Sequence, residues 1–257
     1  MRPYFVIVAL TALGLATPAL AMEASASYVI TLGGINIATA DITLTDDGSR
    51  YGIDLDADVI GLGNLVAKGR AIATTAGTVN GDRLQPQTFS LETVTNGERF
   101  VVSVEYSGTE ATGFVVDPPM IFDYGRIPIE RSHLRGVTDM MTAFTIKGGA
   151  LDADLCDRSN GVFTGLERFN IEMRYLQDDT ATSQHTGYQG PVILCAIRYV
   201  PVSGHFPESE ITRGLAESDR ILIWYAPLGD TGYFVPYRVL LTTSMGDLSM
   251  VLTRLSS

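Results

Sequence analysis

Three aspartates at alternate positions, Asp54, Asp56 and Asp58, are the residues of this chain that most invite a reading as metal ligands. A calcium loop of the EF-hand type beginning at Asp54 would need Gly at its sixth position and Glu at its twelfth. The chain has Val59 and Leu65 there. On a strand, alternate carboxylates stand about 7 Å apart, too far to share one ion without further ligands. The same spacing is that of a solvated strand face, and no metal site is expected. The three histidines, His133, His185 and His205, lie far apart and form no HExxH pair. Neither Lys68 nor Lys147 has a serine three residues before it, and no G-x-S-x-G occurs. Gly61-Leu62-Gly63 lacks the third glycine and the long helix of a dinucleotide loop. No cofactor is expected. Acid–base chemistry stays open, because 29 acidic residues always allow a carboxylate pair.

The apolar residues offer more. Trp224, Tyr225, Tyr233, Phe234 and Tyr237 form a dense aromatic cluster. It reads either as one wall of a cavity for a hydrophobic ligand or as ordinary core. Met140, Met141 and Phe144 fall on a short helical stretch, and methionine adapts to irregular apolar surfaces. Met140, Met141, Phe144, Trp224 and Phe234 are therefore the candidate ligand-binding residues. The alternative is that they pack on one another and leave no space.

The elements that would position them are mostly strands. Apolar residues alternate with polar ones through Tyr51, Ile53, Leu55, Ala57 and Val59, through Phe100, Val102, Val104 and Tyr106, and through Phe169, Ile171, Met173 and Tyr175. Leu248, Met250 and Leu252 continue the habit. Such runs have one wet and one buried face, as antiparallel sheets do. Turn signals separate them at Asp46-Asp47-Gly48, Asn80-Gly81, Asn96-Gly97, Ser107-Gly108, Asn160-Gly161 and Gly229-Asp230. Asn96-Gly97 between two alternating runs reads as a tight hairpin. One helix is expected, capped by Thr138 and stopped by Gly148-Gly149. The stretch from Asp178 to Gly190 reads as a polar loop, and that from Pro207 to Arg220 as an irregular or helical excursion. The expected fold is mainly β: one strongly curved antiparallel sheet or open barrel with one short helix against its concave side. The helix and excursions break the strand rhythm of an outer-membrane barrel.

Residues Met1 to Ala21 have the parts of a secretory signal: Arg2, the apolar run Tyr4 to Leu15, Pro18, and the small-x-small site Ala19-Leu20-Ala21. The run is shorter than the roughly 20 residues of a spanning helix. A cleavable signal peptide and a periplasmic domain over residues 22–257, with no membrane span of its own, are expected. The formal charge is −11, and loss of Arg2 would make it −12. Such a chain is repelled by nucleic acid, so no nucleic-acid partner is expected. Export carries Cys156 and Cys195 into an oxidising compartment, where an even count without nearby metal-spaced histidines argues for one bridge. It would close a loop of about 40 residues and add about 4 kcal/mol on the chain-entropy model. Two free buried thiols are the alternative.

A family resemblance has residues behind it. Gly33-Gly34-Ile35 opens the series, followed by Asp139-Met140-Met141-Thr142-Ala143-Phe144. Cys156 then precedes Asn160-Gly161 and Leu166-Glu167-Arg168-Phe169-Asn170-Ile171. Cys195-Ala196-Ile197-Arg198-Tyr199-Val200-Pro201 comes next, and Ile223-Trp224-Tyr225 and Val235-Pro236-Tyr237-Arg238-Val239 follow. This order resembles the exported bacterial family catalogued as domain of unknown function 3108, over nearly the whole mature chain. The resemblance implies a periplasmic location, a β-rich fold and a disulfide, and it implies no activity. Two functions are carried forward. One is a non-enzymatic envelope protein binding a hydrophobic ligand or a protein partner. The other is a hydrolase of an envelope polymer or lipid.

Overall fold

The computed structural model describes residues 21–257 apart from 62, 64–67, 121–124 and 244–245. The expected signal segment, Met1 to Ala21, lies outside the described residues except for Ala21.

Strands dominate in the order β1 (Met22–Leu32), β2 (Ile35–Asp46), β3 (Arg50–Val59), β4 (Gly69–Asn80), β5 (Arg83–Thr95), β6 (Glu98–Ser107) and β7 (Glu110–Asp117). Two two-residue strands flank a helix: β8 (Val137–Thr138), α1 (Met140–Phe144) and β9 (Ile146–Lys147). The second half holds β10 (Arg158–Phe163), β11 (Arg168–Ala181), β12 (Gly190–Ser203), α2 (Glu210–Glu217), β13 (Ile221–Pro227), β14 (Tyr233–Thr243) and β15 (Gly246–Ser256). Neighbouring strands run 7-6-5-4-3-2-1-15-14-13-12-11-10-8, with β9 added beside β14. The first and last strands are therefore paired, and two meanders meet along β1 and β15. All described pairs are antiparallel except β8 with β10.

Alternation explains the curl. Val102, Val104 and Tyr106 of β6 are buried, as are Tyr51 and Ile53 of β3, while Asp54 and Asp58 face solvent. These strands thus hide one face, and the sheet wraps that face inward, while β12 is buried on both faces from Val192 to Ile197. Extra residues in the ladders at Ser27/Tyr28, Ala76/Gly77 and Trp224/Tyr225 add twist. At Gly77 a Cβ would lie 2.1 Å from the Gln85 carbonyl oxygen, so only glycine fits that bulge. The Asn96-Gly97 hairpin forms as expected. Both residues have positive φ, 53° and 89°, which a two-residue primed turn requires.

The sheet closes into a nearly complete barrel. At the seam the Val137 N–H donates to the Thr109 carbonyl at 2.9 Å, and Glu110 bridges to Arg135. Behind it the Tyr106 hydroxyl donates to the Phe163 carbonyl at 2.6 Å, and the Phe114 ring meets Phe163 edge-on at 5.2 Å.

Several local expectations shift. Asp139, not Thr138, caps α1, because its carboxylate reaches the free N–H groups of Met141 and Thr142. The helix ends at Phe144, and Ile146–Lys147 leave it to pair with Tyr233 and Phe234 of β14. Asn160-Gly161 is no turn but lies inside β10, paired with Asn170 and Ile171. Asp178 to Ala181 extend β11, which leaves only 182–189 outside strands. The Pro207 to Arg220 excursion contains α2, capped by the Ser209 hydroxyl.

Candidate functional site: an apolar cavity inside the barrel

The inward faces do not meet across the barrel. They line a cavity of about 630 Å³ that is partly open to solvent. Its walls come from both meanders: Tyr28 and Ile30 of β1, Ile42 and Leu44 of β2, Phe169 and Ile171 of β11, Ile197 of β12, Ile223 of β13, and Met250 of β15. Along β1 it extends from Ala24 to Ile30, about 20 Å at the usual rise per strand residue. The lining is nearly all aliphatic and aromatic. Among the described lining residues are one carboxylate, Glu167, no histidine, and neither Lys nor Arg.

The α1 segment stands inside the barrel and forms part of this wall through Met140, Met141, Phe144 and Thr145. Two polar anchors hold it. The first is Asp139, fully buried. One of its oxygens accepts the N–H groups of Met141 and Thr142 at 2.8 and 2.9 Å. The other accepts the hydroxyls of Thr142 at 2.6 Å and Thr75 at 3.0 Å. Tyr51 joins the same group through Thr142. Burial without a cation raises the Asp139 pKa, and the hydrogen bonds offset that only in part. The second anchor is Lys147, just beyond the helix, which pairs with buried Asp46 at the end of β2 and lies over the Tyr233 ring. The Tyr233 hydroxyl also donates to Asp46, at 2.8 Å. Burial would raise the Asp46 pKa, but bonds from Lys147, the Gly48 N–H and Tyr233 outweigh it and hold the carboxyl below its ordinary value.

Of the five candidate ligand-binding residues, Met140, Met141 and Phe144 line the cavity, and Met140 keeps 41% of its surface free of protein contact. Trp224 and Phe234 do not line it. Trp224 alternates with the inward Ile223 and Tyr225, so it stands on the outer face, where its Nε1 donates to Asp179 at 2.9 Å and Arg238 lies over the ring. Phe234 is 6% exposed and packs in the core beside Ile146, its register partner. The facing wall expected from them is supplied by β11 to β13. Glu167 and Tyr199, at the upper end of the cavity, carried no signal in the sequence.

A family model described as "Protein of unknown function (DUF3108)" matches residues 27–253. The chain belongs to the DUF3108 family. Among solved structures, it is similar to a crystal structure of a beta-barrel-like protein of the domain of unknown function DUF1849 from Brucella abortus. The two share 11% identity at a TM-score of 0.49, over 91% of this chain and 97% of that one. No curated protein matches the chain.

In this DUF3108 chain the two cysteines form a disulfide, both fully buried, with Cα atoms 5.5 Å apart. It ties the 3-10 turn Ala153–Cys156 to the centre of β12. Asp56 faces outward and is held by Arg70, whose Nε donates at 2.9 Å. Among the described residues no group of three His, Cys, Asp or Glu could hold a metal ion. His133 accepts the Glu130 N–H through Nδ1 and does not touch the cavity. No described helix is long and apolar enough to cross a membrane.

Proposed function

We propose that this protein is a non-enzymatic envelope protein of the periplasm that binds a hydrophobic small molecule inside its barrel. The observation that supports this is the cavity of about 630 Å³ with its almost wholly apolar lining. Small-molecule sites occupy about 300–1,000 Å³ and are lined mainly by apolar groups. Well-packed interiors leave few voids larger than a water molecule. Placement in the periplasm rests on the signal pattern of Met1 to Ala21.

Binding is tested with the neutral fluorescent probe N-phenyl-1-naphthylamine. Wild-type protein is expected to bind it. Phe144→Asp, which puts a carboxylate into the cavity wall, is expected to abolish binding, whereas Asp56→Asn on the outer face leaves it intact. A wild-type protein that ignores the probe defeats the reading. Location is tested by sequencing the N-terminus of protein released from periplasm, expected to begin at Met22, or at Ser27 if the second small-x-small site Ala24-Ser25-Ala26 is cut.

A further inference from the structure

The cavity is apolar along its length but not at its upper end. There the turn between β10 and β11 presents Glu167, and β12 presents Tyr199 beside Phe169. The turn is fixed: the Thr164 N–H donates to the Glu167 carbonyl at 3.0 Å, and the Glu167 N–H donates to the Thr164 hydroxyl at 3.1 Å. Glu167 makes no ion pair among the described residues, and no Lys or Arg lines the cavity to balance it. The Phe169 and Tyr199 rings lie 4.9 Å apart at a tilt of 44°. A carboxylate beside two aromatic rings is a pattern that recognises a cation. The carboxylate supplies charge and the ring faces supply their quadrupoles.

We propose that Glu167, with Tyr199 and Phe169, forms the head-group end of the cavity, and that the ligand is a cationic amphiphile, with an amine or quaternary ammonium head on one apolar chain. This rests on the apolar-ligand reading above and narrows it. The chain lies along the cavity, which extends roughly 20 Å beside β1, and the head stays at Glu167. A fatty acid of the same length would meet the same walls but would bring its carboxylate against Glu167, with no lining cation to offset the repulsion. Burial, and then the charge of Glu167, push the Tyr199 phenol up to about 12, so the ring is neutral at physiological pH.

The test is displacement of N-phenyl-1-naphthylamine from the full mature protein by dodecyltrimethylammonium and by dodecanoate, each below its micelle concentration. Wild type is expected to release the probe to the ammonium compound at about fivefold lower concentration than to dodecanoate, the scale of one partly exposed charge pair. Glu167→Gln, which keeps the shape, is expected to bring the ratio close to one while the neutral probe binds as before. Asp56→Asn removes an equal charge from the outer face and is expected to keep the wild-type ratio. Three results overturn the proposal: a ratio unchanged by Glu167→Gln, a ratio lost equally in Asp56→Asn, or a preference for dodecanoate. Each leaves the apolar-ligand reading standing if the neutral probe still binds. If the neutral probe does not bind wild type, both readings fall.

Discussion

Tyr51 and Thr142 lie 91 positions apart in the chain, yet their hydroxyls share a buried hydrogen bond of 2.8 Å. Thr142 in turn donates to Asp139, so the wall of the barrel reaches the cap of the helix that stands inside it. Removing the carboxylate leaves several buried donors unmatched and uncaps α1. Asp139→Ala is expected to lose about 3 kcal/mol in urea unfolding, and Tyr51→Phe about 1 kcal/mol. Equal losses for the two would show that Asp139 does not organise the group.

Asp46 and Lys147 make the second anchor, and it behaves differently on removal. Lys147→Met leaves Asp46 buried without its cation, at a cost of about 3 kcal/mol. Asp46→Asn together with Lys147→Met is expected to cost less than Lys147→Met alone, because the uncompensated charge is gone. Denaturant midpoints of the two single variants and the double variant measure the coupling.

The two buried carboxylates give stability opposite dependences on pH. The Asp46 pKa is lowered on folding, so its contribution is present above the ordinary carboxylate range and is lost as pH falls through its folded value. The Asp139 pKa is raised, so its contribution is fully present below that range and declines as pH rises through its folded value. Asp46→Asn is expected to flatten the acid limb of a plot of stability against pH, and Asp139→Asn to flatten the decline above it. Thermal melts at closely spaced pH values decide both, and limbs unchanged by these substitutions would refute the assignment.

The Cys156–Cys195 bridge lies in a buried core cluster with Ile171, Met173 and Tyr225. Cys195→Ser is expected to lower stability by about 2–5 kcal/mol. Alkylation of denatured, unreduced protein is expected to find no free thiol, and two modified cysteines would contradict the bridge.

Trp224 gives a control for the cavity. Because its ring stands outside, between Asp179 and Arg238, Trp224→Ala is expected to leave N-phenyl-1-naphthylamine affinity unchanged while costing about 1 kcal/mol of stability. A loss of binding in a folded Trp224→Ala protein would place the ligand elsewhere.

Much of this architecture is written locally. Alternation through Tyr51 to Val59 and Phe100 to Tyr106 marks strands with one buried face, because successive strand residues point to opposite sides whatever the rest of the chain does. Asn96-Gly97 marks its hairpin because two adjacent left-handed residues suit few other types. The helix was legible through Met140 to Phe144, but its cap was not: Thr138 and Asp139 are both good capping residues, and the choice depends on Thr75, which arrives from β4 to hold the Asp139 carboxylate. The faces of Trp224 and Phe234 were not legible either. Ile221 to Ala226 is an unbroken apolar run, so no polar residue marks which side of β13 Trp224 takes, and Ile146 covers Phe234 only after β9 docks on β14. By itself the sequence determined that the chain is strands with an apolar side, joined by turns at known places, with two cysteines free to pair. Only the tertiary structure decided that these sides curl round an unfilled space, with Glu167 at its upper end. Whether facing side chains meet depends on barrel curvature and on distances between residues more than a hundred positions apart, and no local pattern encodes them.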